Sequence, residues 1–119
     1  MAGIKLVTDM DAKTLFKLAY REAQDKGFTV AKLGNGEFTA KRSNLALSIV
    51  LGAFVAYCDF HIAIEDCDDE TELVLERNSP WWTGIIGVQR VKSWAKDLVK
   101  TIGEAIVDEG NEVIREKEF

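Results

Sequence analysis

With 119 residues, 47% hydrophobic and 29% charged, the chain has the size and apolar content of one ordinary globular core, which excludes a disordered or fibrous chain. Its formal charge of -5 argues against general DNA or RNA binding, whose largest contribution is neutralisation of phosphates. Two cysteines, Cys58 and Cys67, allow one disulfide at most, and MAGIKLVTDMDAK turns polar too early for a secretory leader; the expected setting is the reducing cytoplasm, with free thiols.

In chain order, the first element expected is a helix. Asp9 or Asp11 caps it, Leu15, Leu18, Ala19 and Ala23 form its apolar stripe, Phe16 and Tyr20 widen that stripe, and Gly27 stops it after Lys26. After Gly27 the period falls to two. Phe28, Val30 and Lys32 alternate with Thr29, Ala31 and Leu33, and Gly34-Asn35-Gly36 reads as a hairpin turn into a second strand, Glu37 to Arg42.

Asn44 to Glu65 is too long for one ordinary strand, so a bend or split is expected at Gly52. From Phe54 onward, Phe54, Ala56, Cys58, Phe60, Ile62 and Ile64 are assigned to the core. Val55, Tyr57, Asp59, His61, Ala63 and Glu65 are assigned to the wet face. Leu45 to Tyr57 is uncharged but shorter than the roughly 20 residues of a membrane span, so no stable span is expected. Asp66 to Glu70 forms an acidic turn, and Thr71 to Glu76 a strand with Leu73 and Leu75 inward.

Arg77 to Pro80 interrupts the pattern and leads into Trp81 and Trp82. A long amphipathic helix then runs from about Thr83 or Gly87 past Val107, with Val88, Val91, Ala95, Leu98, Ile102 and Ala105 in one stripe and Trp94, Val99 and Ile106 broadening it. Gly103 costs about 1 kcal/mol of helix propensity relative to Ala, which a close approach to the sheet would explain. These elements make a single α+β domain over residues 1–119: a two-layer sandwich with an antiparallel sheet of four or five strands and both helices packed on one side. Residues 1–8 and 111–119 are expected to fray.

No catalytic, cofactor or metal constellation emerges. Cys58, His61 and Cys67 have ligand-like spacings, but strand parity sets Cys58 and His61 on opposite faces, which opposes both a zinc site and a Cys-His nucleophile. The acidic run from Asp66 to Glu72 lacks the glycine and the terminal glutamate of a calcium loop. Asp59 and Glu65 share a face as an acid–base pair would, yet two carboxylates on a wet face are ordinary. Gly84-Ile85-Ile86-Gly87 precedes a helix and reads first as a helix start.

The anomaly is the charge order of the last helix. Arg90, Lys92, Lys96 and Lys100 come first and Glu104, Asp108, Glu109 and Glu112 last, opposite to what the helix dipole favours. Three compensators are open: the acidic turn beside the basic half, a homodimer with antiparallel helices, or an anionic lipid headgroup meeting the tryptophans. The expected function is a non-enzymatic binding or assembly domain with Trp81, Trp82, Arg90 and Trp94 as candidate interaction surface. The alternative is a carrier of a lipid or small apolar ligand in a cavity between sheet and C-terminal helix. An enzyme built on His61, Asp59 or Glu65 ranks third.

Overall fold

A computed structural model describes residues 3–43, 57–77 and 85–119; of residues 42–43, 57–58, 77 and 85–91 it describes the backbone alone. The elements are β1 (Gly3–Thr8), α1 (Ala12–Asp25), β2 (Thr29–Gly34), β3 (Glu37–Ser43), β4 (Tyr57–Cys67), β5 (Glu70–Arg77), α2 (Ile85–Asp108) and β6 (Val113–Glu118). The six strands form one antiparallel sheet in the order β2-β3-β4-β5-β1-β6. The two described helices lie on one side of it, α1 against β2, β3 and β4, and α2 against β1, β4 and β6. The expected α+β sandwich is therefore the observed one.

The strand count exceeds the expectation because both ends, expected to fray, are strands. β1 is an inner strand between β5 and β6: Ile4 and Leu6 point under the helices and are fully covered, while Lys5 faces solvent. β6 closes the edge, with Glu118 opposite Ile4 and Val113 opposite Thr8. Its sequence, VIREKE, keeps it mostly exposed and charged, and a charged edge discourages pairing with further chains.

Both helices end by the same device. The N–H of Gly27 reaches Gln24 O and that of Phe28 reaches Ala23 O, and likewise Gly110 reaches Val107 O and Asn111 reaches Ile106 O. The left-handed glycine required there has φ of 93° at Gly27 and 88° at Gly110. Asp11 caps α1, its carboxylate accepting from Thr14 N.

Alternation delivers the core. Phe38, Ala40, Phe60, Ile62, Ile64, Leu73 and Leu75 line the covered sheet face, and Leu15, Leu18, Ala19, Ala23, Leu98, Val99, Ile102 and Ile106 descend onto it. Gly103 faces the sheet as expected, its Cβ direction pointing toward Val113 and Leu6. At the corner where β1 leaves the sheet, buried Thr8 donates through Oγ1 to Glu112 O at 2.6 Å, and Asp9 accepts from Glu112 N at 2.8 Å. This clasp ties the start of α1 to the loop between α2 and β6. Leu45 to Ala56, the Gly52 bend, Trp81 and Trp82 lie outside the described residues. None of the described helices is long and apolar enough to cross a membrane.

Candidate functional site

The sheet face away from the helices carries the side chains that chemistry could use, and the strand registers disperse them. His61 lies opposite Thr39 on one side and Glu76 on the other, half-buried, with Nε2 3.9 Å from Glu37 Oε1. Asp59 is opposite Lys41, and Glu65 is opposite Glu72. Six residues of extended strand separate Asp59 from Glu65, about 20 Å, far beyond the reach of a carboxylate pair. Among the described residues no three His, Cys, Asp or Glu side chains converge as metal ligands. The side chain of Cys58 lies outside the description, while Cys67 is an exposed free thiol beside the β4–β5 turn. Partial desolvation, followed by the carboxylates of Glu72, Glu65, Asp66 and Asp68, holds that thiol above its usual range, so it is protonated and weakly nucleophilic at neutral pH.

The strand registers also locate the acidic turn. Thr71 pairs with Thr8 and Thr8 with Val113, so the turn lies at the sheet end where α2 finishes and β6 begins. The first compensator is thereby corrected: the acidic turn neighbours the acidic end of α2, because β6 must run back antiparallel to β1 from that end. Its charges are held by other strands, Glu70 by Arg115 at 3.3 Å and Glu72 by Lys5 at 3.3 Å. On α2, Lys96 meets Glu118 at 3.3 Å and Asp97 meets Lys26 of α1, whereas Lys92 and Lys100 make no ion pair with the described residues. Among the described residues the basic half of α2 thus receives one acidic partner, from β6.

Of the expected interaction surface, Trp94 is half-buried and packs against the core from α2. Arg90 contributes a described backbone position only, and Trp81 and Trp82 lie outside the described residues. No protein-family model and no curated protein matches the chain. The residues themselves must carry the functional reading.

Two recesses open among the described residues, and α2 lines neither. One, of about 290 Å³, lies on the uncovered sheet face between Lys5, Glu72, Val74, Glu76, Lys117 and Phe119. The other, of about 500 Å³, is a half-open groove between the first turns of α1 and the β2–β3 turn. Its floor is apolar, from Ala12, Phe16 and Ile64, and its rim bears Lys13, Lys17, Lys32, Asn35 and Asp66. Phe16, expected only to widen the apolar stripe of α1, forms part of this floor. Lys13, Phe16 and Lys17 share one helix face by their spacing, whereas Lys32 and Asp66 join them only through strand pairing.

Proposed function

We propose that the chain is a non-enzymatic binding or assembly domain whose contact surface runs from the segment of Trp81, Trp82, Arg90 and Trp94 along α2, and whose partner is a second copy of itself. The observation that carries this reading is the position of the acidic turn at the wrong end of the sheet to neutralise the basic half of α2. The exposed edge of that helix runs Lys96, Lys100, Glu104, Asp108, so each neighbouring pair at i,i+4 is either like-charged or in the less favourable Lys-before-Glu order. Two such helices laid antiparallel about Ile102 bring Lys96 of one copy against Asp108 of the other, and Lys100 against Glu104. The same alignment sets Trp94 near the exposed Val107 of the other copy, which supplies apolar area that surface ion pairs alone would lack.

Light scattering at high micromolar concentration tests it. The expected result is a dimer at low salt that dissociates as salt rises, is broken by Lys96→Glu with Lys100→Glu, and is restored when Glu104→Lys and Asp108→Lys are added. A monomer under all these conditions ends the proposal. Among the described residues, Leu6, Leu73, Leu98, Ile102 and Ile106 are packed between the sheet and the second half of α2, which gives the carrier reading no support there.

A further inference from the structure

The groove beside α1 stands apart from the proposed α2 surface and has its own chemistry. No carboxylate holds its cations. The chain has 20 Asp and Glu residues, all among the described ones, yet Lys13, Lys17 and Lys32 form no ion pair with any of them. In a chain of net charge -5, three such ammonium groups around one recess are a local reversal of sign, opposed only by Asp66. Lys13 and Lys17 are one helical turn apart and repel each other, so an anion between them relieves an existing cost.

Beneath them the floor is built rather than accidental. Phe16 is held edge-on by Phe38 at 5.5 Å between ring centroids and stacked with Tyr20 at 6.0 Å, while Lys32 Nζ sits 5.7 Å from the centroid of the Phe16 ring. Ile64 continues the apolar surface from the end of β4, where its N–H donates to Gly36 O at 2.7 Å and so fixes the hairpin turn as the far wall. A volume of about 500 Å³ lies within the range of small-molecule sites. The second recess has no such local reversal of sign, since its two lysines, Lys5 and Lys117, share the lining with two carboxylates, Glu72 and Glu76, and Glu72 already holds Lys5.

We propose that this groove binds a small amphipathic organic anion, with a short alkyl chain or single aromatic ring against Phe16 and Ile64 and a carboxylate or phosphate among Lys13, Lys17 and Lys32. The apolar body supplies contact with a preformed surface, and the head exchanges water for three ammonium groups that no carboxylate of the chain pairs, Lys13, Lys17 and the Lys32 that lies over the Phe16 ring. An apolar neutral molecule leaves the lysines unpaired, and a bare phosphate leaves the floor wet. Affinity requires both parts of the ligand.

The full chain is titrated with octanoate and octyl phosphate below their micelle concentrations, and with octanol and inorganic phosphate as half-ligands, following backbone amide resonances. The expected result is saturable shifts centred on Ala12, Phe16, Gly36 and Ile64 for the two amphiphiles only. Lys13→Glu and Lys17→Glu each weaken binding about threefold and together about tenfold, as exposed ion pairs do. Both positions are exposed in the first turns of α1, where acidic residues suit the dipole, so these variants keep the fold. Asp66→Asn tightens binding by removing the opposing charge. The proposal is overturned by equal binding of octanol, by saturation with inorganic phosphate alone, by shifts that bypass the groove, or by indifference to the lysine reversals. Binding to phosphatidylglycerol vesicles without binding to the soluble amphiphiles overturns it too, since the site would then be a membrane-facing patch.

Discussion

Replacing Gly103 by Ala should stabilise the protein, and the structure supplies the magnitude. Gly103 lies in the last third of α2, where a glycine costs about 1 kcal/mol relative to alanine through backbone entropy. A Cβ built there would stand 3.7 Å from Val113 Cγ2 and 3.8 Å from Leu6 Cδ1, ordinary van der Waals contact with both strands it faces. The added methyl, half-buried, contributes up to about 0.5 kcal/mol more, for a total near 1–1.5 kcal/mol. For a chain of this size that raises Tm by roughly 4–6 °C. Urea unfolding should show a higher midpoint with an unchanged slope, the mark of altered stability without altered compactness. Gly3→Ala provides the opposite sign: its Cβ would stand 2.5 Å from Leu75 O and 2.7 Å from Phe119 Cζ, so β1 must shift at a cost of about 1–2 kcal/mol. If Gly103→Ala destabilised the protein, α2 would have to ride closer to β1 and β6 than described, and the reasoning would fail.

Thr8→Val keeps the shape of a buried side chain but deletes its hydrogen bond to Glu112 O; a loss of about 1–2 kcal/mol is expected in denaturant titration, and a neutral effect would mean that water replaces the bond. The Asp9 carboxylate is held below its usual range chiefly by the N–H of Glu112, so its contribution is present above the unfolded value near pH 4 and is lost as pH falls through the lower folded value. Asp9→Asn should therefore flatten the acid limb of the stability profile below about pH 4 and leave the shape of the profile near pH 7 unaltered. Iodoacetamide should alkylate Cys67 more slowly than a free cysteine at pH 7.5 and accelerate as pH rises; Asp66→Asn with Asp68→Asn should speed the reaction, and mass spectrometry of the Cys67 peptide separates it from Cys58.

The helix stripes and the strand alternation were legible because each reports burial within its own segment. Leu15, Leu18, Ala19 and Ala23 recur at the helical period, and Phe60, Ile62 and Ile64 recur at the strand period, whatever lies opposite them. The ends were illegible for the converse reason. Val113 to Glu118 has one half-buried apolar residue and four charges, and its identity as a strand comes from the free edge of β1, not from its own pattern. Gly3 to Thr8 alternates only over Ile4, Lys5 and Leu6, and those residues give no sign that both neighbours in the sheet come from the other half of the chain.

The same division holds for function. Periodicity and glycine positions determined from sequence alone that the chain is a two-layer α+β sandwich, and the inverted charge order of α2 was equally plain. Tertiary structure decided which charges meet: it carried the acidic turn to the acidic end of α2, gave Lys96 to Glu118, and gathered Lys13, Lys17, Lys32 and Asp66 from three elements around Phe16. Burial is recorded residue by residue along a chain, whereas a Coulombic neighbourhood depends on distances across strand pairings that no single segment specifies.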